Sequence, residues 1–141
     1  MDAKVRSQIA VCAACIFNRD KQLLLVRKQG TKYFMLPGGK PEANENGEAA
    51  LLRELHEELR ISLVSGHADY LGKWVAPAAN EADCDVHATV WEVHILEEVQ
   101  AAAEIEEIFW YDIADRPAIA LAPLVAQCIL PFLMSRKVTS H

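Results

Sequence analysis

Residues 39–61 read GKPEANENGEAALLRELHEELRI, and the middle of this stretch decides how the rest of the chain has to fold. Leu51, Leu55 and Leu59 recur at i, i+4 and i+8 with Leu52 beside them, which predicts an amphipathic helix over residues 48–59. At about 100° per residue the leucines share one arc, and Glu54, Glu57 and Glu58, related by i+3 and i+4, fall on the adjacent arc. Carboxylates so placed repel one another by a few tenths of a kcal/mol per pair in water, and by more when partly buried. Either water solvates that face or a counterion occupies it. A hard divalent cation, Mg²⁺ or Mn²⁺, takes oxygen ligands and suits such a set. The turn Pro37-Gly38-Gly39 and the further carboxylates Glu42 and Glu45 just upstream favour the metal.

Outward from the helix, residues 33–36 predict a short strand ended by that turn. Before it, residues 9–17 and 22–26 are apolar runs joined by the polar turn Asn18-Arg19-Asp20-Lys21, which predicts a hairpin. After the helix come the apolar run 61–64, a strand at 70–75, a polar loop at 77–85 holding Asn80-Glu81, and strands at 86–96 and 108–111. An uncharged stretch, 118–134, closes the chain as an apolar helix. Strands dominate, with helices in the middle and at the end. That order predicts an α+β sandwich with a mixed β-sheet between helices, not alternating βαβ units.

The 141 residues suit one domain, 1–141, and 52% hydrophobic against 24% charged residues is a globular balance. Twenty acidic against fourteen basic residues give a net charge of −6, which opposes binding to a duplex nucleic acid backbone. Six glutamates nevertheless crowd between positions 42 and 58, so the acidity is concentrated where a metal would use it. Residues 9–17 are too short and too β-branched for a secretory signal. Pro123, Gln127 and Pro131 interrupt residues 118–134, arguing against membrane insertion and for a helix buried on the sheet or in a homodimer seam. Cys12 and Cys15 form a C-x-x-C, but three apart on a strand they face opposite ways. With Cys84 and Cys128 they read as free thiols of a reducing cytoplasm, which is the expected location.

The quoted stretch resembles the signature of the Nudix hydrolases, the superfamily of MutT-type pyrophosphohydrolases, G-x5-E-x7-R-E-U-x-E-E-x-G-U with U aliphatic. Gly39, Glu45, Arg53, Glu54, Leu55, Glu57, Glu58 and Ile61 match in register, eight of nine fixed positions over 23 residues. Arg60 stands where the family has glycine, and Asn44 where a glycine is frequent. A non-glycine at position 60 must turn left-handed or end the helix differently. The resemblance extends to residues 24–27, 33–39 and 104–123, hence over most of the chain.

The resemblance implies an α/β/α sandwich and a Mg²⁺-dependent (or Mn²⁺-dependent) attack of water on a diphosphate linkage joining a nucleoside to another group. It implies Glu54, Glu57, Glu58 and the Gly39 carbonyl as metal ligands, with Arg53 holding the loop through Glu45 or Glu42. Glu54 is the first candidate for general base, Glu104 the second and Glu81 the third. Arg27 and Lys40 are candidates for phosphate contacts, Lys28 and Lys32 for ordinary surface lysines. Trp74, Trp91, Trp110 and Tyr33 offer base-stacking rings or core. A nucleoside triphosphate, ordinary or oxidised, is the leading substrate. Pro77, sixteen residues after Ile61, resembles the proline marker of ADP-ribose pyrophosphatases and keeps ADP-ribose or another nucleotide sugar as the alternative. A non-catalytic nucleotide-binding sensor is the alternative from another class. The only partner implied is the small-molecule nucleotide.

Overall fold

The structure is a computed structural model that describes residues 5–63 and 66–139, with side chains to Arg136. Its elements are β1 (Ser7–Phe17), β2 (Leu23–Lys28), β3 (Gly38–Gly39), α1 (Gly47–Leu59), β4 (Asp69–Pro77), β5 (Cys84–His94), β6 (Ile105–Tyr111), a π-helical segment Leu124–Ile129 and α2 (Leu130–Thr139). The sheet runs β4-β5-β1-β2-β6, with β3 against β1 off this path. It is mixed: β1 and β5 are parallel from Ser7↔Cys84 to Phe17↔His94, and the other pairs are antiparallel.

Period-two alternation on β1 divides the core. Cys12, Ala14 and Ile16 pack beneath α1 with Leu51, Leu55 and Leu59. Ala13, Cys15 and Phe17 face the opposite layer with Val125, Ile129 and Leu133. The two cysteines of the C-x-x-C accordingly lie on opposite faces, and all four thiols are free. The result is the expected α+β sandwich, helix on sheet on helix. Leu51, Leu55 and Leu59 are fully buried, and each stabilises that layer by roughly 1.5–3 kcal/mol.

Three expected elements differ. Residues 33–36 form isolated bridges, Phe34 to Leu121 and Met35 to Val26, and the strand shifts to Gly38–Gly39. Only glycine permits that pairing, because a Cβ at Gly38 would lie 2.1 Å from the Cys12 carbonyl oxygen, and its φ is +146°. Residues 118–122 are not helical; the helix begins beyond them as a π-helical turn that tightens into α2. The Leu130 N–H donates to the Val125 carbonyl, five residues back, where an α-helix would use Ala126, and Pro131 next to it has no N–H to give. β6 starts three residues before residue 108. The end of the run 61–64 lies outside the described residues. Among the described residues no helix is long and apolar enough to cross a membrane.

Candidate active site

β1 and β2 pair only near the turn, at Phe17↔Leu23, and then part so that β3 can take the place beside Cys12 and Ala13. A cavity of about 420 Å³ opens at this split, and Lys28, Lys40, Glu54 and Glu104 supply its charged lining beside Gly38 and Gly39. The position of α1 over the split follows from its caps. Asn46 accepts from the Ala49 N–H at 2.8 Å, and Arg60 ends the helix at φ 59°, its N–H donating to the His56 carbonyl. Arg60 thus takes the left-handed turn directly, and Asn44, the other residue at a glycine-rich position, has φ +70°.

The three glutamates of α1 do not share one environment. Glu58 continues the stripe of Leu51 and Leu55 and is 3% exposed. Its Oε1 accepts from the Gly38 N–H at 3.1 Å, and it makes no ion pair among the described residues. Burial, opposed by that hydrogen bond and by the field of Lys28, pushes its carboxyl up to about 7. Glu54 is half-buried and likewise raised, by burial first. Gly39 lies so close that a Cβ there would fall 2.1 Å from Glu54 Oε2. Glu57 is exposed and turned to Arg53 Nη1 at 3.3 Å.

Arg53 binds the loop to the helix. It grips Glu45 with two bonds, Nε to Oε2 at 2.7 Å and Nη2 to Oε1 at 3.0 Å, and donates to the Lys40 carbonyl at 3.1 Å. Glu42 stands 3.7 Å away and Glu54 3.5 Å. The hydrogen bond from Arg53 holds the Glu45 carboxyl below its ordinary range.

The remaining candidates separate. Lys40 and Glu104 line the cavity, and Glu104 pairs with Lys28 at 3.2 Å. Arg27 points away to Glu106 and Glu107 of β6 and to the Thr31 carbonyl, and Glu81 is exposed on its loop; neither lines the cavity. Lys28, read from sequence as a surface lysine, does line it. The signal was strand parity, since Leu24 and Val26 lie on the α1 side of the sheet and Lys28 is the next residue of that series. Of the aromatic candidates, Trp74 packs on Phe132, Trp91 is buried against Tyr70, and Trp110 joins the core under α1. None of these, nor Tyr33, lines the cavity.

Among the described residues no three carboxylate, histidine or cysteine side chains are gathered into a group able to hold a metal, because Glu57 faces Arg53. The donor chemistry still fits a hard cation. Glu54 and Glu58 are oxygen donors set into low-dielectric surroundings beside a glycine backbone that leaves no room for a side chain.

Comparison with known proteins agrees with this fold. The NUDIX domain family model matches residues 6–130. The fold is similar to a MutT protein from Methanosarcina mazei Go1, at 21% identity over 98% of this chain and 100% of that one, with a TM-score of 0.74. It is similar to a MutT NUDIX hydrolase from Burkholderia pseudomallei at 26% identity, over 89% and 97% of the two chains, with a TM-score of 0.71. The NUDIX domain of Shewanella oneidensis NrtR, solved with ADP ribose, follows at 21% identity, 94% and 90% coverage and a TM-score of 0.69. No match was found among curated proteins. A family model that spans residues 6–130, on a fold shared with these MutT structures, places this chain in the Nudix family of hydrolases.

Proposed function

We propose that the chain hydrolyses the diphosphate linkage of a nucleoside diphosphate joined to a further group, with a divalent cation as cofactor and a nucleoside triphosphate, ordinary or oxidised, as substrate. One observation carries this reading: the two inset carboxylates Glu54 and Glu58 stand beside the Gly38–Gly39 backbone at a cavity whose remaining charges include two lysines. Glu54, Glu57, Glu58 and the Gly39 carbonyl would hold Mg²⁺ or Mn²⁺. Bound there, the ion supplies charge neutralisation at the phosphoryl oxygens and an acidified water.

The chain's own residues do the rest. Arg53 keeps the loop from Lys40 to Glu45 docked on α1, so that the glycine backbone and the carboxylates keep their separation. Lys28 and Lys40 offset phosphate charge that the −6 surface would otherwise repel. Glu54, raised above its ordinary value by burial, is the first group to take a proton from the attacking water. Glu104, which lines the same cavity and is tethered to Lys28, is the second.

The alternative substrate, ADP-ribose or another nucleotide sugar, is supported by Pro77, which lines the same cavity. The test is a panel: purified protein with Mg²⁺ and nucleoside triphosphates, oxidised triphosphates, ADP-ribose, NADH and dinucleoside polyphosphates, with products separated and quantified. Release of pyrophosphate with a nucleoside monophosphate is expected. Cleavage of ADP-ribose alone would transfer the assignment to the sugar nucleotide, and binding without cleavage of any compound would support the sensor reading.

A further inference from the structure

The cavity is chemically two-sided. Lys28, Glu54 and Glu104 are its charged lining on the α1 side and Lys40 the fourth charge, whereas Val11, Leu36, Val86 and Leu124, at the far end, belong to the apolar layer on the other face of the sheet, and Pro77 and Ala79 add further apolar lining. Among the described residues the lining contains no aromatic ring and no Asn, Gln, Asp, Ser, Thr or His. The three tryptophans that could have stacked on a base pack in the core, and Tyr33 lies beneath the Lys32 ammonium, outside the lining. Lys40 offers a rotatable ammonium, a donor on a flexible stem with no acceptor beside it to complete a donor–acceptor pattern.

Resting on the nucleotide reading above, we propose that this enzyme selects its substrate by the diphosphate and by the size of the attached base, and not by the base's hydrogen-bonding edge. The physical reason is an asymmetry in discrimination. A site built to hydrogen-bond a substrate rejects an analogue lacking that group by roughly 10⁴–10⁵, because the site's own polar groups are left unpaired. An apolar wall has no such groups to strand, and separates similar shapes by only about 10–200-fold. The side chains at the far end of this cavity are of the second kind. Oxidised and ordinary forms of one base, which differ mainly in polar edge groups, should therefore be handled nearly alike.

The experiment measures kcat/KM for dATP, dGTP, dCTP, dTTP, 8-oxo-dGTP and the triphosphate of a difluorotoluene deoxyriboside, an apolar shape mimic of thymidine, all with Mg²⁺. Binding of the matching diphosphates is measured by calorimetry in parallel. The expected spread across the natural bases is below about 200-fold, with the apolar mimic within about tenfold of dTTP. A preference above roughly a thousandfold for one base, or a comparable loss with the mimic, in either readout, overturns the inference while leaving the nucleotide reading intact. Comparable binding of all the diphosphates without turnover supports the selectivity and overturns the reaction assigned above. Failure of every compound to bind overturns both.

Discussion

Two glutamates sit at opposite regions of the sheet, and the protein treats them differently. Glu92 on β5 is met by Arg136 of α2 and by His94, whose ring stacks on Phe17. Burial acts to raise its carboxyl, but those two hydrogen bonds win and hold it below the ordinary range. Glu58 on α1 is buried more deeply and has one backbone N–H, from Gly38. Burial wins there, and the group is pushed up to about 7. A carboxylate supplied with a protein cation joins two elements and is structural. One buried at a cleft without such a cation destabilises its own ionised form, and in this chain it is Glu58, one of the residues proposed above to hold the metal.

The sharpest way to break this contrast is to neutralise each carboxylate in turn. Glu58→Gln keeps the shape and the bond from Gly38, and is expected to lower kcat/KM by roughly a hundred- to a thousandfold. Its melting temperature without metal should not fall, because the amide relieves the burial of charge. Glu92→Gln should leave kcat/KM within about twofold and cost about 1–2 kcal/mol of stability near pH 7, read from denaturant unfolding. Equal activity losses in the two variants would remove the distinction.

Stability against pH separates the pair by sign. Glu58 has a folded pKa near 7 against an ordinary 4.5, so without metal its contribution is fully present below about pH 4.5 and is lost as pH rises through 7. The shift corresponds to roughly 3 kcal/mol at most. Glu92 has a depressed folded pKa, so its contribution is present above the unfolded value and is lost as pH falls. The difference in unfolding free energy between Glu58→Gln and the parent, measured in chelator, should therefore grow from pH 4.5 to 8 and shrink when Mg²⁺ is added. A difference flat in pH would mean that Glu58 is ionised throughout and has a partner.

The helix side of this contrast is legible in the sequence. The 3.6-residue period put the leucines and glutamates of residues 48–59 on one helix, and the register of Gly39, Glu45 and Arg53 foretold a loop held against it. The inequality among the three glutamates is not, because it depends on how far the helix rolls onto the sheet. A roll that buries Leu51 and Leu55 takes Glu58 inward with them and leaves Glu57 for Arg53. The choice between Arg27 and Lys28 was hidden for a similar reason. Leu23 to Val26 is apolar throughout, since both faces of β2 are covered, so alternation gives no cue to direction until the helix side is known. The π-helical start of the terminal helix was not legible either, because an uncharged run offers no polar face from which to read the helical period.

The smallest expected effect tests whether Glu58 has a hidden counterion. Arg60 follows it by two residues, exposed, with φ 59°, where a side chain is strained and the family signature has glycine. If Arg60 acts only as a helix cap, Arg60→Gly removes the left-handed strain and raises unfolding free energy by about 0.5–1 kcal/mol, partly offset by the greater freedom of glycine in the unfolded chain. That gain should be the same at pH 5 and pH 8, and kcat/KM should stay within about twofold. A gain at pH 5 that turns into a loss at pH 8 would show that the Arg60 charge stabilises ionised Glu58. The two glutamates would then differ only in how close their protein cation stands, and the buried carboxylate of α1 would no longer be the one left for a metal.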